Sequence, residues 1–265
     1  MRRCRSGFLQ RRPLPGADSF KLLPMSRLLL CATTLLAAAL AVTSAARAAE
    51  TLEEIVVTAG RTAAPVSDYA GSISTLGADD IDGVAHKHIH ELLTRVPGVW
   101  LSRGSGQEHL TAIRSPVLTG AGSCGAFLYL EDGIPVRPAG FCNVNQLFEM
   151  PTELASSIEV IRGPGNALYG SNALHGTINV LLPSATARPA GNVSLEVGAN
   201  EFYRVRGLLP PSPDAPGYLA FVFADDGGFR DDSGYRQFKL NAKTATSFAG
   251  GSLELAASAS GLGQE

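Results

Sequence analysis

Beyond residue 48 the sequence is short of positive charge, with 14 Lys and Arg against 23 Asp and Glu. An acidic chain lacks the basic stripe that nucleic-acid binding needs, so no nucleic-acid partner is expected. A long hydrophobic run is missing too. The one extended apolar stretch, Leu28 to Val42, falls short of the roughly 20 residues a helix needs to cross a bilayer. Several catalytic signatures are also absent. No G-x-S-x-G occurs, so no nucleophile elbow is encoded. The Gly-rich run Gly163–Gly176 has no Gly-Lys-Ser/Thr and does not read as a phosphate cradle. His90-Glu91 opens like a zinc-protease helix, but position 94 is Thr where a second His is required. No enzymatic activity and no cofactor are expected.

Positive charge is instead concentrated at the start. Eight Lys and Arg, and only Asp18 as a counter-charge, fall within residues 1–48. Met25-Ser26-Arg27 opens a short basic region, the apolar run follows, and Ala46-Arg47-Ala48 supplies a small-x-small cleavage pattern. Residues 25–48 are therefore expected to be a signal peptide cleaved after Ala48. Residues 1–24 are rich in Arg and Pro without hydrophobic periodicity. They are expected to be an upstream extension, with translation starting at Met25. Of the four cysteines, Cys4 and Cys31 fall in the part that would be removed. Cys124 and Cys142 remain, an even pair in an exported chain, which favours a disulfide. The alternative is two free buried thiols.

Residues 49–63 carry a short β-favouring run, Ile55-Val56-Val57-Thr58, after two acids. Such a run can add itself as a strand to a partner's sheet edge, or it can begin the next domain. From 64 to 185 the pattern mixes short strands with short helices. Strands are expected over Ser72–Leu76, Val99–Arg103, His109–Arg114, Phe127–Leu130, Ile158–Arg162 and Thr177–Leu182. Glu131-Asp132-Gly133 predicts a hairpin across Phe127–Val136. Helices are expected at Ala78–Asp82, at Lys87–Arg95 before Pro97-Gly98, near Val144–Phe148 and over Thr152–Ser157. If the second helix begins by position 86, His86 and His90 share a face and become weak copper or zinc ligands. A solvated helix face is the competing reading.

From about 191 the pattern becomes strict alternation. Val193, Leu195 and Val197 interleave with Asn192, Ser194 and Glu196. Phe238, Leu240 and Ala242 interleave with Gln237, Lys239, Asn241 and Lys243. Five strands are expected, near 192–198, 202–209, 217–225, 235–248 and 252–261. One apolar and one polar face suit a membrane barrel, although a soluble sandwich alternates similarly. Phe238 and Phe248 share a face ten residues apart. At about 3.3 Å per residue and a tilt near 45° they would stand about 23 Å apart along the membrane normal. That matches an apolar band of about 25 Å edged by aromatics. Five strands cannot close a barrel, so a longer parent chain is expected.

Four motifs in order resemble the TonB-dependent outer-membrane receptors. Glu53-Glu54-Ile-Val-Val-Thr-Ala59 resembles the TonB box. Leu92-Leu93-Thr-Arg-Val-Pro-Gly98-Val99 is similar to a plug "LL…PGV" element, and Leu128-Tyr-Leu-Glu-Asp-Gly133-Ile-Pro135 to its "DGIP" hairpin. Ile158-Glu-Val-Ile-Arg162-Gly163-Pro164 through Leu168-Tyr169-Gly170-Ser-Asn172-Ala173, with Gly176-Thr-Ile-Asn-Val180, resembles the plug signature. The resemblance implies an α+β plug over residues 64–185, then the first antiparallel strands of a transmembrane β-barrel over 186–265. It also implies a coupling strand (Glu54, Ile55, Val56, Val57, Thr58, Ala59) that binds TonB, and plug-motif positions Arg162, Gly163, Pro164, Tyr169, Gly170 and Asn172. The expected function is energised uptake of a scarce nutrient at the Gram-negative outer membrane, with a ferric siderophore leading and cobalamin, copper or haem as alternatives. A stand-alone periplasmic plug-like binding module is the reading from a different class.

Overall fold

The computed structural model describes residues 55–56, 64–118, 126–136, 146–170, 172–187, 190–211 and 215–264. All of them lie within one compact unit, Glu53–Glu265. The described chain begins with β1 (Ile55–Val56), which pairs antiparallel with β2 (Ala64–Pro65). Then come β3 (Ser72–Gly77), α1 (Ala78–Val84), α2 (Ile89–Leu93), β4 (Val99–Arg103) and β5 (His109–Ile113). They are followed by β6 (Phe127–Glu131), β7 (Ile134–Pro135), β8 (Ser157–Arg162) and β9 (Gly176–Leu181). Strands β3-β8-β9-β6-β7 form one sheet, in which only β6 and β9 run parallel, and β4–β5 form a separate hairpin.

Sequence chemistry accounts for these breaks and caps. The Gly77 N–H is bonded by the Asp80 carboxylate at 3.1 Å, which fixes the start of α1. Ala85 ends it in the left-handed conformation, its N–H returning to Ile81 O. The second helix is shorter than the expected Lys87–Arg95. His88 is held extended as its cap, with Nδ1 accepting the His90 N–H at 3.0 Å. The helix expected at Thr152–Ser157 is a single 3-10 turn, Thr152–Leu154. Ala155 is extended, and Ser156 already donates to Leu181 O at 2.8 Å, so the sheet claims the chain there. Around Val144–Phe148, the described part is a 3-10 turn, Gln146–Phe148.

The first sheet buries Ile158, Val160, Ile178 and Val180 against Leu92, Leu93 and Leu101. Its other face covers Ile161 with Val66, Tyr69 and Ile73. Both faces are occupied, so even the polar residues Glu159, Thr177 and Asn179 of β8 and β9 are buried.

The second sheet contains β10 (Asn192–Gly198), β11 (Phe202–Leu209), β12 (Tyr218–Asp226), β13 (Tyr235–Phe248) and β14 (Gly251–Gln264). They pair antiparallel in sequence order, with β10 and β14 at the edges. The burial is inverted relative to a soluble sheet. Val193, Leu195, Val197, Tyr203, Val205, Leu219, Phe223 and Phe238 are exposed, whereas Arg204, Gln237, Lys239, Asn241 and Lys243 are buried.

Close packing of β9 gives a stability test. A Cβ on Gly176 would stand 2.5 Å from the Ile161 carbonyl oxygen and 2.8 Å from Ile113 Cγ2. Gly176→Ala is expected to destabilise the α+β domain by about 1–3 kcal/mol, read as a lower midpoint in denaturant unfolding.

Candidate functional site

Two places concentrate the sequence motifs: the hairpin between β8 and β9, and the face where the second sheet meets the α+β domain. In the hairpin, Gly163 N–H donates to His175 O at 2.8 Å and Gly165 N–H to Ala173 O at 2.7 Å. Gly163 and Gly170 have φ of 119° and 72°, which only glycine takes readily. Asn166 Oδ1 accepts the Leu168 N–H at 3.1 Å and starts a 3-10 turn, Ala167–Tyr169. Tyr169 packs on Leu128, Leu130 and Ala173. Pro164 lies between the two ladder glycines, and Asn172 lies at the exposed tip. The glycines serve turns and close packing, with backbone N–H groups bonded to carbonyls instead of pointing at an anion.

Arg162 fastens the same end. It donates to Pro97 O at 2.6 Å, to Ile73 O at 3.1 Å and to Ser74 Oγ at 2.8 Å. Arg114 reaches Ser72 Oγ at 2.9 Å alongside it. Two guanidiniums thus join β3, β8 and the segment after α2.

The contact between the second sheet and the α+β domain is built from buried charge. Lys239 donates to both carboxylate oxygens of Glu153, at 2.9 and 3.0 Å, with the side chains 3% and 6% exposed. Arg204 donates to the carbonyls of Ala85 and His86 and to Glu196. Arg206 reaches Glu153 O at 2.6 Å, Asp82 at 3.0 Å and Glu196 at 3.1 Å. Lys243 pairs with Asp132 at 2.8 Å. Asn241 and Ser258 both donate to Glu131, at 3.1 and 2.7 Å. Gln237 donates to Phe148 O at 2.6 Å. Burial alone would raise the Glu153 carboxyl, but the Lys239 ammonium and His86 outweigh it and hold it at about 2.

The alternation in β13 marks this polar face in the sequence. Its counter-charges, Glu153, Asp82 and Asp132, follow no motif that a one-dimensional reading could connect to it. Sequence reasoning missed them for that reason.

Of the expected coupling strand, Ile55 and Val56 form β1, in register with Pro65 and Ala64. Glu54, Val57, Thr58 and Ala59 lie outside the described residues, as do Cys124 and Cys142 and the proposed cleavage region. His86 and His90 do not share a helical face, because α2 begins only at Ile89. His86 instead meets Thr152 Oγ1 at 3.0 Å. No cluster of three or more metal-ligating side chains occurs among the described residues.

Three histidines are buried and neutral. His88 lies between the His90 N–H and Glu108 O, at 3.0 and 3.2 Å, which places its proton on Nε2. His109 stands edge-on to His88 at 5.8 Å. Burial lowers His86 and His109 to about 4 and His88 to about 3, and nearby Lys239 and Arg103 contribute. Their folded values lie below the unfolded 6.5, so below that pH the unfolded chain binds more protons. Stability is expected to fall as pH drops from 6.5 toward 4, and further as Glu153 protonates on the way to 2. The check is the denaturant midpoint at pH 7.5, 6.0 and 5.0. A midpoint constant across that range would contradict the assignment.

Known proteins share this architecture. The family model described as the TonB-dependent receptor plug domain matches residues 65–177. A curated relative, the vitamin B12 transporter BtuB of Vibrio vulnificus (strain CMCP6), is 32% identical over 156 residues, 58% of this chain and 25% of the relative. The chain therefore spans about a quarter of that relative's length. The pyoverdine outer-membrane receptor FpvA of Pseudomonas aeruginosa PAO1, solved with pyoverdine, superposes with a TM-score of 0.62 at 19% identity, over 78% of this chain and 30% of that one. The copper transporter OprC superposes with a TM-score of 0.52 at 18% identity, over 72% and 30%. At such identities the solved structures speak for the fold alone: an α+β plug followed by the first antiparallel strands of a β-barrel. The family is one of receptors and transporters, not of enzymes. Residues 65–177 thus match the plug domain of the TonB-dependent receptors, and the chain is similar to a part of such a receptor.

Proposed function

We propose that this chain forms the plug and leading wall of a Gram-negative outer-membrane receptor that takes up a scarce nutrient with energy delivered through TonB. The inverted second sheet carries this reading. Leu195 is 70% exposed while Lys239 is buried, as expected for a wall with lipid outside and a polar plug inside. A stand-alone periplasmic module would have to present that apolar face to water.

In this reading residues 1–24 are an upstream extension, 25–48 a signal peptide cleaved after Ala48, and 49–63 the coupling segment. The plug occupies 64–185 and the wall 186–265. Glu54 to Ala59 add as a strand to a sheet edge of TonB through main-chain hydrogen bonds. A Cys124–Cys142 disulfide closes a loop of the plug. The cargo is a ferric siderophore. The pyoverdine receptor among the fold relatives is compatible with that choice, whereas the BtuB and OprC matches keep cobalamin and copper as alternatives. Haem is a further one.

Two experiments test the reading in the protein as its gene encodes it. Leu240 lies on the outward face, in register with Phe221 and Ala259. Leu240→Arg is expected to weaken folding into phospholipid vesicles by about 2–4 kcal/mol, whereas a water-facing sheet would accept the charge. Val56→Pro removes a backbone donor from the coupling strand. It is expected to abolish uptake while ligand binding persists, and normal transport by this variant would refute strand addition.

A further inference from the structure

The register of the second sheet aligns Ser194, Arg206, Val222, Lys239 and Ser260 as one rung across all five strands. All five share the inward face with the buried Lys239. The rung contains two cations and no carboxylate of its own. The nearest wall acid, Glu196, stands one rung away beside Arg204 and bonds both arginines. The carboxylate that answers Lys239 is Glu153, on the plug side of the contact, and Asp82, which answers Arg206, comes from α1. Removing the plug from this rung leaves Lys239 without a counter-charge and Arg206 with Glu196 alone, which it shares with Arg204.

From this we infer that the wall rung centred on Arg206 and Lys239 is an anion-selective step, so that the cargo passing it is an anionic chelate. The inference rests on the receptor reading above. A ring of basic side chains lining a passage favours anions for electrostatic reasons alone. Breaking a buried ion pair by taking away one partner carries a penalty of about 3–5 kcal/mol, and an anionic cargo offsets it by replacing Glu153 beside Lys239. A neutral or cationic cargo cannot. Two rungs toward the β13–β14 turn, past Asn241, lies Lys243 (Tyr218–Lys243–Ala256), paired with Asp132 of the plug at 2.8 Å and with the wall's own Glu254 at 3.7 Å. Asp226 and Glu254 stand at the two ends of this face, with Glu254 beside Lys243, and neither lies on the rung of Arg206 and Lys239.

The test is the reversal potential of the protein in a planar lipid bilayer across a KCl gradient, with the plug displaced by urea. The expected open channel is anion-selective. The double variant Lys239→Gln with Glu153→Gln keeps the contact hydrogen-bonded and neutral, so folding is preserved. Its reversal potential is expected to shift toward zero, and adding Arg206→Gln should shift it further. Glu153→Gln alone perturbs the same contact but leaves the wall charge, so its open channel should match the wild type. A cation-selective channel, or one whose selectivity ignores Lys239 and Arg206, overturns the inference. A protein that forms no channel in lipid overturns the receptor reading instead.

Discussion

A buried ammonium must keep its carboxylate, and the arrangement of this protein follows from that requirement at Lys239 and Glu153. Desolvating either charge alone is expensive, so the second sheet can turn its polar face inward only where another layer supplies matched partners. The α+β domain supplies them: Glu153 for Lys239, Asp82 for Arg206, Asp132 for Lys243, Glu131 for Asn241, and the carbonyls of Ala85 and His86 for Arg204. The inward polarity then frees the outward face to be apolar. Neither face could hold its composition without the other layer.

The two sheets are stabilised by different physics. The plug sheet packs against apolar side chains on both faces, tightly enough that one added methyl at Gly176 would meet a carbonyl. The wall meets it through directional, charged contacts with little apolar overlap apart from Leu208, Tyr218 and Ala220 near Leu154. Apolar cores tolerate no separation, whereas hydrogen-bonded charges can exchange one partner for another or for water. A contact of this second kind suits two layers that must be joined firmly yet be able to part.

Much of this was legible in one dimension. The period-two alternation from residue 191 marks the five strands, and Glu131-Asp132-Gly133 marks the β6–β7 hairpin. The glycines of the 163–176 run announce turns. Helices were less legible. His88 caps α2 through its own ring nitrogen, so a segment with helical composition starts two residues later than its pattern suggests. Thr152–Ser157 has the composition of a helix, but the edge of β8 captures Ser156 and Ser157 first. The buried acids could not be read at all, because a lone Glu153 after a proline looks like any exposed turn carboxylate until the strand that meets it is in place.

The position of β3 has a mechanical consequence. It is an outermost strand of the plug sheet, it precedes every other strand of that sheet in the chain, and its first residue, Ser72, lies opposite Arg162. A tug arriving from the N-terminal side would load that corner before any other and peel β3 away bond by bond, as a zip opens from one end. Arg162, bonded to Ile73, Ser74 and Pro97 at that corner, is a rivet at the tip of the tear. How firmly it holds would set the force at which the plug begins to come apart.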